Sequence, residues 1–306
     1  MAVDYNGNKG FRLLSIYENL NKGEVISKTQ LSEQFKVSEK TIQRDIDDLR
    51  AYLADTHFAE GEVSIKYDRL RGGYFLIRME REWLTNEEVL ATCKILLESR
   101  AFCKEELDML LSKLLMQVTP TDRRQVEELI RNEQFCYIPL QHGKKLLRFL
   151  WELSQYIKRN ETIHFTYCRK DGVQREHKVK PVAIMFSEYY FYLVGFMADG
   201  SKDYPTVFRV DRMKSAKGTK ENFYIPYRDK FNDGEFRKRV QFMYSGELRR
   251  VTFEYSGSSV ESVLDRLPTA EILSRVDNVY TIKVEVYGNG INMWLKSQGE
   301  HVTIKE

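Results

Sequence analysis

The sequence predicts an α+β protein of several domains, and three observations predict it. Residues 9–53 carry three short helical patterns, closed by an alternating hairpin. A middle stretch is dense in short aromatic and β-branched strands. The last part runs strand, helix, strand, strand, helix, strand. A length of 306 residues suits about two to three domains. With 42% hydrophobic and 30% charged residues the chain reads as soluble, with enough apolar material for real cores. The expected divisions are a helical domain closed by a hairpin over 1–80, a helical linker over 81–139, a strand-rich domain over 140–223 and an extension over 224–306.

The first element is set by the stretch SEKTIQRDIDDLR, residues 38–50. Ile42, Ile46 and Leu49 recur at helical spacing, and Leu53 extends the stripe. Lys40, Gln43, Arg44 and Asp47 fan out on the opposite side. Upstream, Leu31 and Phe35 mark a short helix starting near Ser27 or Thr29, and Ser38 is placed to cap the next helix. Helix, short turn and Ser-capped helix with exposed basic residues is a helix-turn-helix. The start of the second helix enters a major groove, so Ser38, Lys40, Thr41, Gln43 and Arg44 are the candidate DNA contacts. Arg pairs with a guanine edge, Gln with adenine, and either grips phosphate. Asp45 lies nearer the apolar side and is expected to anchor a neighbour. Lys36 stands where such turns often use Gly, at a cost of about 1 kcal/mol.

After the helices come EVSIKY, the turn DRLRGG and YFLIRM. Gly72 and Gly73 suit the turn, and Arg69 and Arg71 at the tip make a wing over the phosphate backbone. Thr85 with Glu88 forms a capping box opening a run of amphipathic helices to about Asn132, which Pro120 breaks.

A helix is expected over 142–159, then strands TIHFTYCR, QREHKVKPVAIMF, YYFYLVGFM and TVFRVDRM, joined at the turns KDGV and ADGS. Such strands suggest a small, strongly bent sheet or barrel. A regular strand through FRVDRM puts Phe208, Val210 and Arg212 on one face and Arg209, Asp211 and Met213 on the other. The two arginines then share a ligand only at a bulge, strand end or rim. Aromatic faces beside guanidinium groups suit stacked bases and phosphates. The plainer alternative is that Phe191 and Tyr192 are core and rim aromatics and that Arg212 pairs with Asp211 or Glu188. From Arg249 the order RVTFEY, SVESVLDRL, AEILS, VYTIKVEVY, INMWLKS, HVTIK is that of a ferredoxin-like βαββαβ domain.

The net charge is +3, from 48 basic and 45 acidic residues, so any nucleic-acid site must be local. There is no run of about 18 apolar residues, and MAVDYNGNKG lacks the apolar core of a signal peptide, which predicts a cytoplasmic protein without membrane association. Cys93, Cys103, Cys136 and Cys168 stand apart with no CxxC, as expected for reduced thiols rather than a metal site. His57, His142, His164, His177 and His301 show no metal spacing, and no P-loop, HExxH, GxSxG or dinucleotide fingerprint appears. GNGINMWL lacks the Lys of a phosphate loop and reads as a helix start. A nucleic-acid-processing enzyme would need clustered carboxylates, and the middle segment offers only isolated ones such as Asp171, Glu176 and Asp211. A scaffold whose helix-turn-helix binds no DNA is the other alternative. No enzyme activity, metal or cofactor is expected.

VSEKTIQRDIDDLRAYL followed by a wing resembles the N-terminal winged helix-turn-helix of DeoR-like and WYL-domain regulators. KVKPVAIMFSEYYFYLVGFMADG with FRVDRM resembles the WYL domain, whose Trp-Tyr-Leu triplet is Phe191-Tyr192-Leu193 in this sequence. The segment after it resembles the C-terminal extension that accompanies such domains. The resemblance implies a bacterial transcriptional regulator, commonly homodimeric, that binds a double-stranded operator. It also implies an Sm-like barrel that senses a nucleotide or single-stranded nucleic-acid ligand. Carried onto this chain, the sensing surface comprises Tyr167, His177, Lys180, Phe191, Tyr192, Arg209 and Arg212. Phe191 keeps an aromatic platform without the indole donor.

Overall fold

The computed structural model describes residues 8–56, 63–78, 84–118, 120–226, 228 and 230–305. The chain divides into two compact units. One holds the chain to Glu98 with Leu107–Tyr137, the other Ser99–Glu106 with the chain from Ile138 onward.

The first unit opens with α1 (Lys9–Asn21), α2 (Lys28–Phe35) and α3 (Glu39–Thr56). The Asn8 side chain accepts from Gly10 N and starts α1. The apolar stripe of α3, Ile42, Ile46, Leu49 and Leu53, is buried with Ile16 and Leu20 of α1 and Leu31 and Phe35 of α2. Lys36 takes the left-handed conformation (φ 54°) that ends α2. The hairpin β1 (Val63–Asp68) and β2 (Gly73–Arg78) follows, and a bridge from Ile26 to Tyr74 adds a third strand segment. Gly72 has a positive φ, as a turn glycine should. Gly73 serves a different need, because a Cβ there would stand 2.6 Å from Val25 Cγ1 and 2.7 Å from Ile26 O. His57 and the expected strand ends Glu62 and Met79 lie outside the described residues.

Beyond the hairpin come α4 (Asn86–Ser99), α5 (Lys104–Leu115) and α6 (Pro120–Phe135). Thr85 N donates to Glu88 Oε2 at 2.8 Å and Glu88 N to Thr85 Oγ1 at 3.3 Å, the expected capping box. Pro120 occupies the first position of α6, where a missing N–H costs nothing.

The second unit begins with α7 (Leu147–Lys158), shorter at its start than the 142–159 expected. The cause is an external cap. Leu146 N and Leu147 N donate to the two oxygens of Glu106, at 2.9 and 3.0 Å, so the helix starts where that buried carboxylate meets it. Glu106→Ala leaves both N–H groups without this partner and is expected to destabilise the unit by about 1–3 kcal/mol. Denaturant unfolding of the two proteins measures it, and equal midpoints would show that the cap contributes nothing.

α7 packs Leu153 on a five-stranded sheet of β3 (Glu161–Cys168), β4 (Gln174–Ser187), β5 (Tyr190–Met197), β6 (Thr206–Arg209) and β7 (Met213–Asn222), ordered β6-β5-β4-β3-β7. Every ladder is antiparallel. Two expectations change here. TVFRVDRM is not one strand: β6 ends at Arg209, Val210–Arg212 form a 3₁₀ turn, and β7 starts at Met213. The strict alternation of Arg209 and Arg212 between two faces therefore fails at the turn. No ladder joins β6 to β7 among the described residues, so the expected barrel is not closed by hydrogen bonds, and the turn carries the chain between the two edges instead.

A further helix, α8 (Asp233–Arg239), capped by Asn232, was not expected, being only seven residues long. It buries Phe236 with Ala183, Met185 and Val194 of the sheet. The remaining elements are β8 (Leu248–Tyr255), α9 (Val260–Arg266), β9 (Glu271–Val276), β10 (Val279–Tyr287), α10 (Gly290–Ser297) and β11 (Val302–Lys305), in the element order read from the sequence. Their sheet is antiparallel, ordered β11-β8-β10-β9. Phe253, Val263, Ile282, Val284, Ile291 and Leu295 fill its core. No described helix is long and apolar enough to cross a membrane.

Candidate functional site

In the first unit α3 is positioned by a buried ion pair on its apolar side. Arg12 of α1 donates from Nε to Asp45 Oδ2 at 2.8 Å, and both side chains are almost fully buried. Asp45 thus anchors a neighbour, as expected. Ser38 Oγ accepts from Thr41 N at 3.2 Å and shares a hydrogen bond with Thr41 Oγ1, so both hydroxyls serve the helix start.

The outer face divides in two. Lys40 and Arg44 are exposed and make no hydrogen bond or ion pair among the described residues. Gln43 is engaged on both ends of its amide: its Oε1 accepts from Tyr74 Oη at 2.7 Å and Lys28 Nζ at 3.2 Å, and its Nε2 donates to Asp47 Oδ1 at 3.1 Å. Arg50 extends this network, donating to Asp47 Oδ1 and to Ile65 O, both at 3.0 Å, with its guanidinium 5.4 Å from the Tyr74 ring centre. The effect is to tie the wing to α3. At the wing tip Asp68 Oδ1 accepts from Leu70 N and Arg71 N, which shapes the turn. Arg69 and Arg71 are exposed there, Arg71 at 3.5 Å from Asp68. Lys28 and Tyr74 were not foreseen, because each reaches Gln43 only through the tertiary fold; Arg50, three residues from Asp47 on the same helix, was legible as its partner, but its bond to Ile65 O was not.

In the second unit the strand register gathers Tyr192 and Arg209, which pair across β5 and β6. The Arg209 guanidinium lies 3.3 Å from the Tyr190 ring centre and donates to both Asp211 oxygens, at 3.0 and 2.7 Å. Arg209 N donates to Tyr167 Oη at 3.2 Å, which brings in a third expected residue. Burial pushes the Tyr192 hydroxyl up to about 12, opposed by the Arg209 charge, so it remains a donor at all ordinary pH. Lys144 donates to the Asp211 carbonyl, and burial lowers the pKa of His142 beside this group. Tyr190 was legible as the residue two before Tyr192 on one strand face. Asp211 was weighed as a partner for Arg212 and as an isolated carboxylate, yet it pairs with Arg209. Glu188, the other partner weighed for Arg212, pairs with Arg266.

The remaining expected residues lie elsewhere. Phe191 alternates to the opposite side of β5 and packs against Phe102 and Phe186. Lys180 is half-buried across from Phe196. Arg212 shares a cleft of about 320 Å³ with Tyr167, Arg169, Lys170, Asp171 and Tyr244.

His177 sits within an aromatic cluster of Phe165, Tyr167 and Phe208, with ring centres 5.1–6.2 Å away. Burial lowers its pKa, and the Arg175 and Lys202 charges add to this. A lowered folded-state pKa means that the unfolded chain binds the proton more readily. Stability is therefore whole above the unfolded value of about 6.5 and falls as pH drops below it. We expect the melting temperature of the second unit to decline between about pH 7 and 5, and His177→Phe to flatten that decline. An unchanged slope in the variant would assign the pH dependence to His142 or to carboxylates.

The family model of the WYL domain matches residues 148–217, and that of an HTH domain matches residues 12–74. The chain carries both, and together they support transcription regulation through DNA binding, a regulatory rather than an enzymatic role. Among solved structures the chain is similar to proteasome accessory factor B/C (PafBC) of Arthrobacter aurescens. The identity is 16% over 96% of this chain and 44% of that one, with a TM-score of 0.29. It is also similar to a CRISPR Cas-related protein, at 14% identity over 88% of this chain and 68% of that one, with a TM-score of 0.35. The chain spans less than half the length of the first, and superpositions this loose carry no argument. No curated protein sequence matches the chain.

Proposed function

We propose that this chain, a WYL-domain protein with an N-terminal helix-turn-helix domain, is a cytoplasmic, homodimeric transcriptional regulator that reads a double-stranded operator and responds to a ligand. The observation that carries the DNA reading is the start of α3. Lys40 and Arg44 are exposed there and have no partner among the described residues, on a helix held by the Arg12–Asp45 pair and flanked by a wing bearing Arg69 and Arg71. A groove-binding helix needs cations free of internal partners.

The proposed domain plan has divisions near residues 80, 139 and 223. The bent sheet, open between β6 and β7 among the described residues, is taken as an Sm-like fold and the last segment as a ferredoxin-like extension. The homodimer follows from the family resemblance and is supported by β9, an edge strand exposed at all six positions with Ile272, Leu273 and Val276 on it. The sensor face is Tyr167, Tyr192 and Arg209, where an anionic, aromatic ligand such as a nucleotide would compete with Asp211 for the guanidinium. Ligand changes operator affinity only if it binds one dimer geometry better than the other.

Selection of genomic fragments by the purified protein at two salt concentrations tests this. Enrichment of an inverted repeat, with half-sites about one helical turn or a multiple apart, is the expected result. Weak, salt-sensitive binding to all fragments alike, unchanged by added nucleotide, would favour the scaffold alternative.

A further inference from the structure

We propose that Gln43 meets DNA as a hydrogen-bond donor only, and that Tyr74 of the wing is the positioning residue that makes it one. The base pair it faces is then G·C, not the A·T pair that a glutamine in a major groove ordinarily selects. This rests on the operator reading and adds which base the helix reads and what sets that choice.

A glutamine with both ends of its amide free reads adenine by accepting from N6 and donating to N7. In this chain the oxygen is already occupied. Gln43 Oε1 accepts from Tyr74 Oη at 2.7 Å and from Lys28 Nζ at 3.2 Å, which uses both of its lone pairs. Nε2 gives one N–H to Asp47 Oδ1 at 3.1 Å, and its second N–H makes no hydrogen bond among the described residues. Turning the amide over would set Nε2 against the lysine, which can only donate, and Oε1 against the carboxylate, which only accepts. The chemistry of the neighbours therefore fixes the orientation, and two of the three bonds have a charged partner.

Tyr74 can impose this because the fold holds its ring in place. The residue is buried, and its backbone exchanges two hydrogen bonds with Ile26, both at 2.8 Å. Tyr67, opposite it in the hairpin register, sets a ring edge-on with centres 5.0 Å apart, and the Arg50 guanidinium lies 5.4 Å from the ring centre. Gln43 itself is half-buried, with exposed Lys40 one turn earlier and exposed Arg44 next to it. What this stretch offers a groove is thus one amide N–H beside two cations, and no acceptor from Gln43. Guanine suits that set, since N7 and O6 are two acceptors side by side. Adenine sets its N6 amino group beside N7, and a donor buried there without an acceptor costs affinity.

The test is selection from randomised duplexes by the full chain and its variants, with sequencing to read the base preference at each position. Gln43→Ala locates the base pair, as the one position whose preference it relaxes, and the parent is expected to select G·C there. Tyr74→Phe combined with Lys28→Met frees Oε1 while keeping the ring and the aliphatic stem. It should shift the ratio of affinities at that position about tenfold toward A·T. A merely structural role for Tyr74 would weaken binding to all sequences alike and leave that ratio unmoved. Thermal melting checks that the variants fold. Gln43→Glu tests the donor role without touching the wing: it keeps the oxygen that Tyr74 and Lys28 hold, has no N–H, and should lose the guanine preference. A·T at this position in the parent, or a preference that the double variant and Gln43→Glu both leave unchanged, overturns the proposal. A selected motif in which no position answers to Gln43→Ala overturns it and leaves the operator reading standing, whereas equal binding to all duplexes overturns both.

Discussion

Replacing Lys40 and Arg44 together by alanine is expected to weaken duplex binding at least about a hundredfold without lowering the melting temperature. Each lost charge-assisted contact is worth roughly 1.5–3 kcal/mol, and a factor of ten is about 1.4 kcal/mol. Neither side chain has an internal partner among the described residues, and alanine favours helix, so the fold loses nothing measurable. Salt dependence separates the roles. If both residues grip phosphate, the slope of log affinity against log salt becomes shallower by about 1.8, at roughly 0.9 per phosphate, uniformly across sequences. If Arg44 reads a guanine, Arg44→Ala alone relaxes preference at one base pair. Gln43→Ala is a different perturbation, because it releases Tyr74 and Lys28 and so loosens the wing. Affinity unchanged in the double variant would remove the α3 start from the DNA interface.

Arg12→Ala or Asp45→Ala is expected to destabilise the first unit by about 3–5 kcal/mol, the largest stability effect in the chain. Each change removes one charge of a buried pair, so the desolvation of the other is less well compensated. Removing both partners is far less damaging than the sum of the single changes, and a double-mutant cycle measures the coupling. Since two units complicate a single unfolding curve, hydrogen exchange of the α1 and α3 amides is the direct readout. A loss below about 1 kcal/mol in both single variants would mean that water reaches the pair.

Much of the architecture was legible because it is set by local periodicity and end chemistry. The Ser38 start, the α3 stripe, the Thr85–Glu88 box and the final six elements each depend on residues within one turn or one strand. Short-range chemistry also explains why Asp45 could be assigned inward, since its place on the helix followed from the stripe beside it. What escaped was every feature whose partner is remote in sequence. α7 begins where Glu106, 40 residues earlier, supplies its cap. Gln43 is occupied by Tyr74, 31 residues later. β6 stops at Arg209 because the chain turns there, which no alternation of side chains announces.

The sequence by itself determined most of the helices and strands and their order, α8 and β7 excepted, and which helix carries the exposed cations proposed to meet DNA. Those choices follow from hydrophobic spacing, which neighbouring residues alone can satisfy. Only the tertiary structure decided which charges are free. Arg209 is taken by Asp211 and stacked beneath Tyr190, while Arg212, three residues on, has no partner among the described residues and lines a cleft. A side chain's availability depends on what the fold sets within about 3 Å of it, and hydrogen bonds fail beyond that reach.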